Sequence, residues 1–360
     1  MSVILAAIGF AILAQDTVRV GSEQTCSRCR IVFERIAEFG SPSDNTSPFE
    51  RGFSFALDSR QRIYVAPMAE QYSIGVYTRS GSLLRTIGRH GGGPGEFNNV
   101  SEVKVMRGDT LIAYDIRSAR LTLFSHSHEV VSTIPMPPQL RFILPQRDGS
   151  FIAYASIPTR DRVGRFLHRI SRSGEIQQSF GPSGEPFDAR ETASHVRILA
   201  QGASGIIWSA RQNRYLIEAW TANGELRRVI IRQPAWFEEW TRHPLSGAER
   251  PRTRIRTIFE DEAGLLWVIL RVPDRRWRPD PAARPGVESG GVPTYAAVPR
   301  YEDSIVEVID PRTGALLISK RFDEAFADDM SGGHGYLETQ RETSLGVPRV
   351  TIWKPRLVRQ

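Results

Sequence analysis

Charged side chains recur at the start of short apolar segments spread along the chain. These candidate ligand-binding residues are Arg141, His195, Arg197, Arg254, Arg256 and Asp328, with Glu102, Lys104 and Asp329 at comparable places. Arginine forks bind carboxylate and phosphate groups through paired hydrogen bonds, so Arg197, Arg254 and Arg256 predict an anion-binding funnel. The alternative is a structural network of paired acids and arginines, because buried charges must be paired or hydrated.

Two further segments place aromatic side chains beside arginine. The stretch QPAWFEEWTRHPLSG contains Trp236, Phe237 and Trp240, and an insertion at residues 272–303 contains Trp277. Such aromatics could hold a sugar, a peptide or an unstacked base, so Trp236, Trp240 and Trp277 are candidate rim residues. The alternatives are a short capping helix for the first segment and a solvated, Pro- and Arg-rich loop for the insertion.

No set of residues commits the chain to a catalytic reaction. The patterns GxSxG, Walker A and HExxH do not occur. A divalent metal would require four side chains to converge, namely Glu102, His195, Asp328 and Asp329. The arginines around them would repel a cation. His126 and His128 lie in SHSHE, which aligns with a hairpin turn and favours an exposed turn over a metal site. We predict no catalytic residue, no bound metal and no cofactor.

The two cysteines, Cys26 and Cys29, stand three residues apart in TCSRCRI. In an oxidising compartment this spacing predicts a local disulfide. In a reducing one it would indicate redox chemistry or half of a zinc site, and no second CxxC or HxxxH completes four zinc ligands. The disulfide is the favoured interpretation.

The N-terminal residues MSVILAAIGFAILAQD predict an export signal over residues 1–14, with cleavage before Gln15. The apolar run from Val3 to Ala14 suits the h-region of such a signal and is too short to span a bilayer. An apolar N-terminal strand is the alternative. The net charge of +7 indicates only non-specific attraction to anions, so nucleic acid is not an expected partner.

A recurring unit sets the expected architecture. Short apolar strands with alternating polar residues are joined by the turns RSGS, RSGE, ANGE and RTGA, whose glycines suit the positive φ of hairpins. Four strands recurring every 40–50 residues predict an all-β, six-bladed β-propeller, in which each blade is buried only against its neighbours. The predicted blades are residues 52–97, 98–140, 141–190, 191–250, 251–326 and 327–360.

The last blade lacks a fourth strand before the chain ends at Gln360. RIVFERIAEFG, residues 30–40, matches the outer strand that ends LLRTIG in the first blade. We therefore predict that residues 31–40 complete the sixth blade, which closes the ring and leaves no free inner edge. Residues 15–30, with the two cysteines, are expected to precede the propeller.

One junction resembles a known repeat. IGRHGGGPGEFNNVSEVKV followed by LIAYDIRSARLTLF resembles the linker and strands of an NHL repeat, with Gly93, Pro94, Gly95, Phe97, Asp115 and Arg120 at the matching places. The resemblance implies an NHL-like six-bladed propeller. Such proteins are mostly binding platforms, and related propellers include exported lactonases and lyases that hold a divalent metal in the channel.

The functional prediction is an exported, periplasmic or secreted, non-catalytic module. It would bind a protein partner or an anionic small molecule or glycan on the face that carries the long loops, because recognition usually lies on loops held by a rigid scaffold. A metal-dependent hydrolase or lyase of the lactonase type, and an NHL-type RNA-binding platform, are the alternatives.

Overall fold

The computed structural model describes residues 16–40, 53–67, 72–106, 108–181, 195–242, 249–279, 302–326, 335–342 and 348–359. Almost all regular structure in these ranges is β-strand. The strands up to the third blade are β1 (Asp16–Val20), β2 (Cys29–Phe39), β3 (Phe53–Leu57), β4 (Ile63–Pro67), β5 (Ile74–Tyr77), β6 (Leu83–Ile87), β7 (Arg89–His90), β8 (Glu96–Phe97), β9 (Val100–Val105), β10 (Leu111–Asp115), β11 (Arg120–Phe124), β12 (Val130–Pro135), β13 (Arg141–Pro145), β14 (Phe151–Tyr154), β15 (Leu167–Ile170) and β16 (Ile176–Phe180). The later strands are β17 (Arg197–Gln201), β18 (Ile207–Arg211), β19 (Leu216–Trp220), β20 (Leu226–Arg232), β21 (Arg254–Glu260), β22 (Leu266–Pro273), β23 (Glu302–Ile309), β24 (Leu316–Phe322), β25 (Leu337–Glu342) and β26 (Pro348–Arg359).

The strands form six small sheets arranged as a ring, which confirms the six-bladed β-propeller. Five blades run from the innermost to the outermost strand in chain order: β3 to β6, β9 to β12, β13 to β16, β17 to β20 and β21 to β24. The sixth sheet has the order β25-β26-β2. β7 and β8 form a two-stranded parallel ladder in the linker between the first two blades.

The hydrophobic core lies in the seams between blades. Strands in the middle of the blades, such as β10 and β19, are buried along their whole length. One cluster joins Tyr64 and Val76 of the first blade to Val103 and Phe124 of the second. Each four-stranded sheet is therefore stable only when a neighbour covers its faces.

The ring closes as predicted from the repeat. β2 pairs antiparallel with β26, from Cys29 opposite Arg359 to Phe39 opposite Val350. β2 thus supplies the outermost strand of the sixth blade. Pairing segments from the two ends of the chain in one sheet covers the outer edge of β26, which an unclosed ring would expose.

The segment before β2 contributes more than the sequence predicted. β1 pairs in parallel with β20 and becomes a fifth strand on the fourth blade. Farther on, Gln24 bridges to Leu316 of β24, and the amides of Thr25 and Cys26 donate hydrogen bonds to carbonyls of the same strand. Residues 16–39 therefore cross the outer edges of the fourth, fifth and sixth blades in turn, and we call them the strap.

A buried ion pair joins the strap to the blades beneath it. Glu307 of β23 is fully buried and accepts hydrogen bonds from Arg232 Nε at 2.9 Å and from the Tyr215 hydroxyl at 2.7 Å. Arg232 also donates to the carbonyl of Gly21 in the strap. Burial and the neighbouring Glu307 carboxylate raise the pKa of Tyr215 well above its ordinary value, so the phenol stays a hydrogen-bond donor.

Polar contacts also tie adjacent innermost strands together. Ser54 Oγ accepts a hydrogen bond from the Val103 amide at 2.9 Å. Glu102 Oε1 accepts one from the Ile143 amide at 2.8 Å. In the next seam Gln146 donates to Gln201 at 3.0 Å. Such contacts fix the position of each blade relative to its neighbour and satisfy polar groups that would otherwise be buried without partners.

The residues that resemble an NHL linker hold the first junction in place. Asp115 is fully buried, and its carboxylate accepts hydrogen bonds from the amides of Asn98 and Asn99 and from Ser118. Arg120 donates to the carbonyls of Gly92 and Glu96. The side chains at the ends of β10 and β11 thus bind the backbone of the glycine-rich linker.

Glycines in the hairpin turns between third and fourth strands lie directly against the preceding blade. Gly174 has a φ of +88°, and a Cβ added to it would lie 1.6 Å from the carbonyl oxygen of Pro135. Gly81 and Gly224 pack in the same way against Glu38 and Gln178. A tight turn and a close approach between blades both require glycine at these positions.

We expect Gly174→Ala to destabilise the propeller by roughly 3 kcal/mol or more, because backbone overlap adds to the strain of positive φ. Gly108→Ala is the matched control, since Gly108 has a φ of +80° and open space around it. It should lose only about 1 kcal/mol. Urea unfolding of both variants measures the difference, and equal losses would show that the turn does not pack on Pro135.

Candidate functional site

The face that carries the linkers between blades and the connections from second to third strands is the long-loop face. Arg256, a candidate from the sequence, lies in β21, the innermost strand of the fifth blade. The pairing of β21 with β22 shifts between Ile255 and Thr257, so Arg256 is an extra residue with no partner opposite it. Such a bulge redirects a side chain relative to a regular strand. The Arg256 side chain is half-buried, and no hydrogen bond or ion pair joins its guanidinium to any residue that the structure describes.

Arg141 begins β13, the innermost strand of the third blade, and is exposed. This strand is also irregular: its pairing shifts between Arg141 and Leu144, and Phe142 has a φ of +53°. Within the described ranges, the Arg141 guanidinium makes no hydrogen bond or ion pair. Two of the sequence candidates therefore present cationic groups next to bulged starts of inner strands.

His195 and Arg197 lie together in the seam between the third and fourth blades. The His195 ring stacks on Phe166 with 5.1 Å between ring centroids. The Arg197 guanidinium carbon lies 4.8 Å from the centre of the same ring, and the residue is only 2% exposed. A cation over an aromatic face is a stabilising contact. The arrangement anchors the fourth blade to the loop that ends at Phe166.

Arg254 is engaged by a carboxylate. Its guanidinium forms a bidentate ion pair with the Glu302 carboxylate, in which Nη2 donates to Oε2 at 2.8 Å. Arg271, directly opposite Arg254 in β22, lies 3.5 Å from the same carboxylate. Arg271 Nε also donates to the Phe326 carbonyl at 2.7 Å, toward the sixth blade. This buried cluster ties three strands of the fifth blade to the next linker.

The remaining channel candidates divide between a paired set and residues outside the described ranges. Lys104 Nζ lies 3.5 Å from Glu102, and both are largely buried. Asp328 and Asp329 lie outside the described residues. The sequence-predicted charges are thus not one cluster: Arg254, Glu102 and Lys104 are in ion pairs.

The aromatic candidates differ in exposure. Trp240 is 6% exposed, and its Nε1 donates to the Thr253 carbonyl at 2.7 Å. Phe237 is also buried, whereas Trp236 is 37% exposed and Trp277 is half-buried. Residues 233–242 form turns and irregular backbone, which corrects the capping-helix alternative for them. Pro234 begins a tight turn in which the Phe237 amide donates to the Pro234 carbonyl at 3.0 Å, and the backbone after this turn is irregular.

A polar cavity of about 490 Å³ lies beside this segment, within the size range of small-molecule pockets. Its charged lining residues are Arg211, Arg214, Glu238, Glu239, Arg242, Glu249 and Arg252. Most of them form ion pairs, such as Arg214 with Glu239 at 3.0 Å. Asn213, 7% exposed, donates to the Trp240 carbonyl, and its Oδ1 accepts no hydrogen bond among described residues.

Sequence reasoning missed Arg211, Arg271 and Glu302. A signal for the first two was present, because the second strands of the fourth and fifth blades, IIWSAR and LLWVILR, both run into an arginine. Glu302 carried no such signal, since it follows a long insertion and its partner Arg254 lies 48 residues earlier.

The described residues also bear on the expectations about metal binding, the two cysteines and membrane spans. In these ranges no group of three or more His, Cys, Asp or Glu side chains is placed to hold a metal ion. His128 is half-buried and its Nε2 contacts the Tyr64 hydroxyl at 2.9 Å, which ties its turn to the first blade. Cys26 and Cys29 form a disulfide within the strap. No helix in the described part of the chain is long and apolar enough to cross a membrane.

We expect Glu302→Gln to destabilise the fold by about 3–5 kcal/mol, because it removes the carboxylate shared by two buried guanidiniums. Arg312→Gln is the control: Arg312 pairs with Asp310 in a turn, and its side chain is 76% exposed. Losing an exposed pair should cost less than about 1 kcal/mol. Urea denaturation distinguishes the two, and a Glu302 variant as stable as the control would contradict the assigned role.

No protein-family model matches the sequence, and no curated protein is significantly similar to it. Among solved structures, the chain is similar to a member of the DUF4221 family from Bacteroides vulgatus, with a TM-score of 0.62 and 12% identity over 92% of this chain and 99% of that one. It is also similar to a Bacteroides fragilis protein whose name gives it as exported, with a TM-score of 0.58 and 10% identity over 96% and 99% of the two chains. A weaker match, with a TM-score of 0.46 and 8% identity over 91% and 99%, is the virginiamycin B lyase from Staphylococcus aureus. The two Bacteroides matches support the propeller fold, and the lyase match carries no argument.

Proposed function

We propose that this propeller is an exported, non-catalytic binding module that takes a carboxylate- or phosphate-bearing ligand at the mouth of its channel on the long-loop face. The ligand would be held by Arg256 and Arg141, on the fifth and third blades. The other channel arginines would act as supports that keep the inner strands in place.

The observation that carries this proposal is the difference between Arg254 and Arg256. Two residues apart on one strand, they have opposite environments: Arg254 is held by Glu302, whereas Arg256 stands on a bulge with no acid among the described residues. A half-buried guanidinium that meets no acceptor among the described residues has donors available for an anion. The bulge supplies the rigid placement that a binding residue needs.

The proposed location outside the cytoplasm has separate support. The Cys26–Cys29 disulfide suits an oxidising compartment. A structurally similar Bacteroides protein is named as exported. We also propose kinship with NHL-type propellers, on the strength of Asp115 and Arg120 binding the glycine-rich linker.

We predict that Arg256→Gln weakens anion binding about tenfold, since charge-assisted hydrogen bonds contribute about 1.5–3 kcal/mol. Titration calorimetry at low salt would use citrate and inorganic phosphate as small anions and a poly-glutamate peptide as an acidic protein segment. The double variant Arg141→Gln/Arg256→Gln should bind still more weakly. Arg312→Gln, an exposed arginine in a tight turn, is the matched control.

The three probes separate a small anion from an acidic protein segment as the ligand. Affinity for at least one probe should fall with salt and fall in the Arg256 variant while the control matches the wild type. Absence of binding by all three probes, or equal losses in the Arg312 and Arg256 variants, would overturn the proposal.

A further inference from the structure

A second cavity, of about 380 Å³, lies in the seam between the fifth and sixth blades, away from the channel arginines; this volume is within the range of small-ligand sites. We call it the aromatic pocket. It is bounded by the end of β24 and the linker after it, by β25 and β26, and by β2 of the strap. The pocket therefore forms only when β2 completes the sixth blade.

Aromatic rings form the inner wall of the pocket. Phe33 of β2 is at their centre: it stacks on Phe326 with 4.5 Å between centroids and meets Phe322 edge-on at 5.1 Å. Trp353 of β26 also meets Phe33 edge-on, at 6.5 Å. Its Nε1 donates to Thr339 Oγ1 at 2.8 Å, which fixes the orientation of the indole.

Three of these rings are only half-buried, because they line the cavity: Phe33, Phe322 and Trp353. Side chains of this size usually lose most of their exposure on folding. A preformed apolar wall with its rings held edge-to-face is suited to a ligand with a flat apolar surface.

The outer part of the pocket carries two ion pairs. Arg341 pairs with Glu324 of the linker, and Arg349 pairs with Glu38 of the strap. The two arginine side chains remain 67% and 51% exposed, so they keep donors directed to solvent. Glu38 also pairs with the exposed Arg35 at 3.4 Å, and each carboxylate still has further lone pairs that can accept hydrogen bonds.

The charges of the lining cancel, with two arginines and two glutamates. An anion or a cation would have to compete with an existing ion pair, and this disfavours both. A neutral ligand that offers hydroxyl groups can instead accept from the guanidiniums and donate to the carboxylates without disturbing either pair. This distinguishes the aromatic pocket from the cationic channel mouth.

We propose that the aromatic pocket binds a neutral sugar ring. A pyranose combines a face of C–H groups, which packs on aromatic rings, with an edge of hydroxyls that both donate and accept. Phe322 and Trp353 would contact the C–H face, and the Arg349–Glu38 and Arg341–Glu324 pairs would bind the hydroxyls. The proposal does not depend on the anion site.

Saturation-transfer NMR and titration calorimetry on the full chain test it with cellobiose, maltose and diacetylchitobiose as probes. We expect at least one disaccharide to bind with a millimolar or tighter Kd. Phe322→Leu and Arg349→Gln should each weaken that binding by about tenfold, a loss equivalent to about 1.4 kcal/mol. Arg349 is on the surface, so its variant tests the site without removing core volume.

Arg312→Gln is the matched control for a lost exposed arginine, and Arg256→Gln should leave sugar binding unchanged. The proposal is overturned if none of the disaccharides binds, or if both pocket variants bind as well as the controls. Binding of N-acetyltryptophanamide without any disaccharide would also overturn it, because the pocket would then be a seat for an aromatic peptide side chain.

Discussion

The pairing of β2 with β26 is the constraint on which the rest of the structure depends. No blade of a propeller is stable alone, because each buries its apolar faces only against the two beside it. Ten cross-strand residue pairs connect β2 to β26. They complete the sixth blade and so close the ring. The part of the strap that precedes β2 makes further contacts between blades, because its residues pair with the outer strands of the fourth and fifth blades.

Ring closure also explains why the two proposed sites differ in character. The proposed channel-mouth site lies at inner strands whose pairing is irregular, and no described residue forms an ion pair with Arg141 or Arg256. The hydrogen bond from the Ile143 amide to Glu102 fixes β13, which carries Arg141, against the innermost strand of the second blade. The aromatic pocket, by contrast, belongs to the outer half of a seam. Its apolar wall includes Phe33, which lies in this seam only because β2, from near the start of the chain, pairs with β26.

Much of the fold could be predicted because its signals are local and repeated. Alternating strands and hairpin glycines such as Gly174 and Gly224 recur along the chain, and RIVFERIAEFG resembles an outer strand closely enough to reveal the closure. The parallel pairing of β1 with β20 had no comparable signal. A five-residue edge strand carries little pattern of its own, and the residues it joins are 212 apart in the case of Asp16 and Arg228.

The sites were less predictable for the same physical reason. Whether an arginine forms an ion pair depends on the acid beside it in space. The sequence did not show that Glu302 would pair with Arg254 while no described acid pairs with Arg256. The aromatic pocket was not predicted at all, because Phe33, Phe322 and Trp353 come together only after closure.

A cross-strand cysteine pair tests the closure most directly. Val32 and Arg356 lie opposite each other in β2 and β26, and both are exposed. Directly opposed residues of antiparallel strands are close enough to be linked. After oxidation, peptide mapping of Val32→Cys/Arg356→Cys should show an intramolecular disulfide between the two positions, and Val131→Cys/Arg356→Cys, which places one cysteine on the second blade, should show none. Failure of the first pair to link, or equal linking in both, would contradict a ring closed by the N-terminal strand.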